Sequence, residues 1–312
     1  METIKTKSLK KQLKRFLKII LNKDLLKAEI LYPFIYKFSR KYFNHYLWPS
    51  HVQSRNYFFK TSNKYKEGEL INLGGGRRFF AEKWLNVDFL EGFEDGERGY
   101  NGKIGMNLLN YLDKLPFKNV KQFFISHVIE HFKIEDSTKL LKACFNSCEK
   151  NSIIRIIVPN SDLIINRLRE NDLEYFKPIY PCFHEKDRNL INRLDLLYYL
   201  LLTPKCRFHH KSYSKSNESI NRIYKDSEYN IFDRSNDEII ELLNNNNCEQ
   251  NNIGLFHVSC FNSKNLINIL KEIGFSKVYE SAFMQSRSEE MRNVPTFDGR
   301  HPWLSLYVEA IK

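Results

Sequence analysis

From residue 68 onward the chain alternates short apolar runs with amphipathic ones, and this rhythm limits the fold more than any other feature. EGELINL runs into Gly74-Gly75-Gly76, WLNVDFL is a second strand-like run ending at Asp88, KIGMN a third and NVKQFFISHV a buried fourth. DSTKLLKACFNSCEK has helical spacing, and NSIIRIIVPN is a strand stopped by Pro159. Towards the end, 262–274 reads as a helix closing at Gly274, 276–281 as a strand, and WLSLYVEAI as a final strand after a polar stretch. Strands alternating with helices predict a parallel, doubly wound sheet, because each crossover helix covers a face of the sheet it returns to. The expectation is a Rossmann-like α/β fold with seven strands, the last antiparallel.

Charge divides the chain further. Residues 1–66 hold sixteen Lys and Arg against three acids, while the whole chain carries +12, so the rest is close to neutral. Four regions follow: a basic amphipathic helical extension (1–66), a ligand-binding core (67–160), a polar, mainly helical insertion or lid (161–256), and a completion of the sheet (257–312). In 8–30, Leu9, Leu13, Phe16, Leu17, Ile20 and Leu25 form an apolar stripe against Lys10, Lys11, Lys14, Arg15 and Lys18. Such a helix fits an anionic membrane surface, with lysines at the headgroups, or packs on its own domain with a solvated basic face. The neutral body argues against nucleic acid as a partner.

No apolar stretch approaches the roughly 20 residues a spanning helix needs. The start lacks the apolar region and small-residue cleavage site of a secretory signal, so the expected compartment is the cytoplasm, with a peripheral place on the inner membrane face if the basic helix docks there. The six cysteines, at 144, 148, 182, 206, 248 and 260, form no Cys-x2-Cys pair and read as scattered, reduced, small hydrophobes.

Two groups of residues carry chemistry. Glycines directly after a strand let backbone approach a ligand where a side chain would block it, and a carboxylate at the next strand end, Asp88, can accept hydrogen bonds from both hydroxyls of a ribose. After the fourth strand come Ser126, His127, Glu130 and His131. Spacing alone lets His127, Glu130 and His131 form the H-x-x-E-H set of a zinc peptidase, but that motif needs a helix and FFIS before it reads as a strand. They also suit a divalent ion completed by a distant His184 or His257; the simpler alternative has Glu130 and His131 capping the next helix. No metal is assigned. His209-His210, in a basic stretch, reads as a solvated loop. Arg287, Arg292, Asp298, Arg300 and His301 cluster before the last strand; Arg292, Asp298 and Arg300 are the candidates for gripping a polyol or anionic substrate.

The ordered series of strand and GGG, WLNVD, NLL with LPF, FFISHVIEHF, helix and IIRIIVP resembles class I S-adenosylmethionine-dependent methyltransferases, nearest the bacterial branch with a Ser-His-Val-x-Glu-His motif. The likeness covers roughly 68–160 and the ending SLYVEAIK. It implies S-adenosyl-L-methionine as cofactor, Gly74, Gly75 and Gly76 against its methionine part, Asp88 on the ribose, Asn107 and Leu108 flanking the adenine, and Ser126 at the strand end facing the sulfonium. His127 and His131 are then the candidate catalytic residues. Only 11 residues separate Gly76 from Asp88, so the first helix must be short or missing. Relatives of this kind are associated with surface polysaccharide synthesis, which implies a small-molecule or glycan acceptor methylated on oxygen. A catalytically inactive binding protein on the same fold is the alternative.

Overall fold

The structure, a computed structural model, describes residues 70–75, 84–89, 104–182, 193–201, 231–245, 257–292, 297 and 301–312. The basic extension, Gly76, His184, His209-His210, Asp298 and Arg300 lie outside the described residues, as does the segment where a first helix would run.

Seven strands form one sheet: β1 (Leu70–Leu73), β2 (Leu85–Asp88), β3 (Ile104–Gly105), β4 (Val120–Ser126), β5 (Cys148–Pro159), β6 (Lys277–Ser281) and β7 (Ser305–Ile311). Their spatial order is β3-β2-β1-β4-β5-β7-β6. The pairs from β3 through β5 are parallel, and β7 runs antiparallel to both β5 and β6. The Rossmann-like architecture is therefore as the sequence predicts, with β7 inserted between β5 and β6. The chain winds outwards from β1 through β2 to β3, then returns to place β4 on the other flank of β1. The strand order reverses there, between β1 and β4.

Alternation along the strands sorts the core into two faces. Ile71, Leu73, Phe123, Ile125, Ile154, Ile156 and Val308 point to one side, packing on helix α1 (Ile134–Ser147) through Leu140, Leu141 and Cys144. Phe124, Ile157 and Tyr307 point to the other, under Trp84, Met291 and Phe297. Helix α1 opens with Glu135 and Asp136, acids that favour a helix N-terminus, and passes into β5 at Cys148 without a loop. Helix α2 (Ser161–Arg169) is capped by Asn160, whose side chain accepts from the Leu163 N–H. Two more helices, α3 (Arg193–Leu201) and α4 (Asn236–Asn245), join α2 in a separate apolar cluster with Ile164, Ile165, Phe176, Leu197 and Ile239 at its centre. Helix α5 (Ser263–Ile273) starts with a reciprocal Asn262–Asn265 capping box and ends at Gly274, where φ is +116°.

A buried ion pair ties β5 to the last strands. Arg155 and Glu309 are fully buried at 2.8 Å. Arg155 also donates to the Ala282 and Gln285 carbonyls and the Ser281 hydroxyl, while Glu309 accepts from the Tyr279 hydroxyl and the Arg287 N–H. Cys144, Cys148 and Cys260 are free and buried; burial raises all three thiols, Cys148 to about 11, so they are inert as nucleophiles.

Candidate functional site

The carboxyl ends of five neighbouring strands, β1 to β5, are laced together around the point of reversal. After β1 the chain turns at Gly74, with φ +72°, and the Gly74 and Gly75 N–H groups donate to the Val87 carbonyl at 2.7 and 3.4 Å. The Met106 N–H donates to the Asp88 carbonyl at 2.9 Å, joining β2 to the residues after β3. On the other flank, His127 leaves β4 with φ +55° and donates its N–H to Ile157 of β5. Gly74 and Val128 meet so closely that a Cβ on Gly74 would lie 2.3 Å from Val128 Cγ2. Only glycine fits both the backbone angle and the space.

Gly74, Gly75, Asp88, Asn107 and Ser126, all picked from the sequence, thus share one rim of the sheet. The Asn107 side chain accepts from the Leu109 N–H and caps the 3-10 turn Leu108–Tyr111, and the Leu108 side chain is buried in the core. Beneath the rim is a pair that the sequence reading did not single out: buried Asn72 donates to Asn86 Oδ1 at 3.0 Å, and Asn86 donates to the Trp84 carbonyl.

The histidine motif does not lie on a helix. His127 is in the turn after β4, Ile129–His131 form a 3-10 turn, and α1 starts only at Ile134 with Lys133 as its N-cap residue. His127 and His131 therefore share no helix face, which removes the geometry a helical H-x-x-E-H peptidase needs. Nor do Glu130 and His131 cap α1, because Phe132 and Lys133 intervene.

Instead Glu130 gathers imidazoles around itself. It is 1% exposed, and its Oε1 is 3.1 Å from His127 Nδ1 and 3.9 Å from His257 Nε2. The His131 and His257 rings meet edge to face at 5.0 Å. The backbone fixes the arrangement, with the Val258 and Ser259 N–H groups both donating to the Glu130 carbonyl. Burial works against the Glu130 charge, but the hydrogen bond from His127 and the charges of His127, His131 and His257 outweigh it and bring its pKa down to about 2. Burial pushes His257 down to about 4, against the pull of Glu130. His257 is thus neutral at pH 7 and lends no charge there, so the ionised Glu130 rests chiefly on the His127 N–H.

An ionised carboxylate only accepts, so Nδ1 of His127 carries the hydrogen in that bond and Nε2 faces Ser305 Oγ at 3.3 Å. The Ser305 hydroxyl donates to the His301 carbonyl at 2.9 Å, and the His301 ring stands 6.5 Å from that of His127. The loop before β7 therefore reaches the site at its His301 end. Arg292 is exposed at the other end of that loop, where Ser288 and Glu290 bond Gln122 in the first half of β4; the structure does not group Arg292 with His127.

No family model matches the chain. No curated protein matches it either. Among solved structures it is similar to an S-adenosylmethionine-dependent methyltransferase from Archaeoglobus fulgidus, at 17% identity over 84% of this chain and 92% of that one, with a TM-score of 0.36. It is also similar to a Thermotoga maritima protein described as an S-adenosylmethionine-dependent methyltransferase and possible histamine N-methyltransferase, at 12% identity over 91% and 99%, with a TM-score of 0.35. A third, from Mesorhizobium loti, is an S-adenosylmethionine-dependent methyltransferase at 13% identity over 78% and 90%, with a TM-score of 0.33. The fold assignment rests on strand order and register.

Proposed function

We propose that the chain is an S-adenosyl-L-methionine-dependent methyltransferase that methylates an oxygen of a sugar or glycan-type acceptor. The observation that carries this reading is the glycine turn at the point where the strand order reverses. Ligands of open α/β sheets bind beyond the carboxyl ends of the strands at that point, and here Gly74, with no room for a Cβ against Val128 at the exit of β4, shares that rim with Asp88 and Asn107. Gly74–Gly76 would lie against the methionine part, Asp88 would accept from the ribose hydroxyls, the Asn107-Leu108 turn would flank the adenine, and Ser126 would border the reacting end. When bound, the cofactor supplies a methyl group on a sulfonium, open to in-line attack.

What the chain must add is position and a base. Methyl transfer to a hydroxyl demands alignment of the acceptor and removal of its proton. His127 suits the second task. Its Nδ1–H is held by Glu130 and its Nε2 faces a serine whose hydrogen is on the His301 carbonyl, so Nε2 can accept the acceptor proton. The resulting imidazolium would donate to both Glu130 and Ser305. His131, beside Glu130, bounds the same space. Arg300 adjoins His301 and Asp298 lies three residues before it in sequence, which supports them over Arg292 in gripping a polyol.

The helical cluster of α2, α3 and α4 would form the lid assigned to 161–256, between the core at 67–160 and the closing segment 257–312. Among the described residues no helix is long and apolar enough to cross a membrane. The basic segment 8–30 supports docking on an anionic inner membrane face, where lipid-linked glycans are built, and deleting residues 1–48 should abolish binding to anionic vesicles. The acceptor class is tested by incubating the full chain with methyl-labelled cofactor and a panel of nucleotide sugars, lipid-linked glycans, peptides and nucleic acids. Label in the glycans that is lost in His127→Ala supports the proposal; label confined to peptide or nucleic acid overturns it.

A further inference from the structure

We propose that Glu130, His131 and His257 form a binding site for a divalent transition-metal cation with an affinity for imidazole, of the Zn²⁺ or Co²⁺ type. One ligand atom from each of the three lies within 4.8 Å of the others. Donors bound at about 2.1 Å in a tetrahedral site stand about 3.4 Å apart, so binding asks the longest edge to close by up to about 1.4 Å.

Three further observations point to a ligand. The first is an orphaned oxygen: Glu130 Oε2 is buried with no hydrogen-bond partner among the described residues. A buried carboxylate oxygen left in that state is costly unless a donor or a cation meets it. The second is the orientation of His257. Its Nδ1 lies 3.0 Å from the Leu200 carbonyl at the end of α3. A carbonyl can only accept, so Nδ1 carries the hydrogen and Nε2 presents its lone pair to Glu130. A metal-bound histidine commonly has its second nitrogen anchored in this way, and a metal needs the imidazole neutral. The third is the clamp on the backbone: the Val258 and Ser259 N–H groups on the Glu130 carbonyl hold together two segments 127 residues apart in sequence. The His127 N–H steadies the carboxylate through Oε1, leaving Oε2 without a partner among the described residues.

Two imidazoles and one carboxylate favour borderline-soft cations over Mg²⁺ or Ca²⁺, which prefer oxygen donors. Three protein ligands leave a fourth position for water or another oxygen. The site was not assigned from sequence, where no metal was expected, and it stands independently of the methyl-transfer reading.

The test uses the full chain stripped with chelator and titrated with Co²⁺ in the absence of cofactor, following the ligand-field absorption. The expected result is one equivalent bound, displaced by Zn²⁺ but not by excess Mg²⁺, and weakened on the order of tenfold or more in His257→Ala and in His131→Ala. Equal binding in both variants, or displacement by Mg²⁺, would overturn the proposal. X-ray absorption on Zn²⁺-loaded wild type needs no variant to fold: two imidazole ligands are expected, and any other number counts against the site. Cofactor binding measured on the stripped protein reports on the methyltransferase reading separately.

Discussion

Replacing Gly74 with alanine tests the point of strand reversal where it is tightest. The added methyl must adopt φ +72° and lie 2.3 Å from Val128 Cγ2. A left-handed backbone costs a residue with a Cβ roughly 1–2 kcal/mol. The contact costs a further amount of about 1–3 kcal/mol, because Val128 is buried and cannot swing into solvent. Gly74→Ala should therefore lose about 2–5 kcal/mol in urea unfolding, with an unchanged slope. Val128→Ala alone sheds two buried methyl groups, for about 1.6 kcal/mol. In the double variant the 2.3 Å contact with Cγ2 is gone and only the milder 3.3 Å approach to the residue-128 Cβ remains, so the loss in the double variant should fall short of the sum of the two single losses by about 1–3 kcal/mol. Strict additivity, or a Gly74→Ala protein as stable as wild type, would refute the packing described here. Cofactor affinity should fall in Gly74→Ala even at temperatures where it is fully folded, since the glycine turn shifts with Val128.

Glu309→Gln leaves the Arg155 guanidinium buried without its partner and should cost about 3–5 kcal/mol in thermal unfolding, whereas replacing both residues with apolar ones of similar size should cost far less. In metal-free protein the folded-state pKa of His257, about 4, lies below its ordinary 6.5, so the unfolded chain takes up the proton first. Stability should then fall by about 3 kcal/mol as pH drops through that window, and an acid-unfolding curve unchanged in His257→Gln would contradict it. The Glu130 contribution is present above its ordinary value of 4.5 and is lost as pH falls towards about 2. His127→Asn should lower kcat by about a hundredfold or more with little effect on cofactor affinity; an equal loss in both would make His127 a binding residue.

The sheet was legible because its strands carry their own signals. IIRIIVP has no competing helical period, and the run of glycines after LINL marks a strand end whatever follows. Boundaries were less so: β5 begins at Cys148, within the run that reads as the end of a helix, because a helix and a strand can join without turn residues. No local pattern marks Arg155 and Glu309 as partners, and only the pairing of β5 with β7 brings them together in the core. The histidine site was half legible. His127, Glu130 and His131 stand out as a motif, and His257 was one of two distant candidates. What brings it beside Glu130 is the Leu200 carbonyl and the clamp on the Glu130 carbonyl, contacts between remote segments that no local pattern records. Arg292 is nine residues from His301 in sequence, yet its neighbours Ser288 and Glu290 bond Gln122 in the first half of β4.

Titration of the full chain with S-adenosylmethionine and S-adenosylhomocysteine by calorimetry, wild type beside Asp88→Ala, tests the central claim most directly. Micromolar binding weakened by about 1–3 kcal/mol in the variant, the cost of unmade hydrogen bonds to a charged group, is the predicted result. Failure of both ligands to bind wild-type protein would contradict the methyltransferase reading while leaving the fold intact.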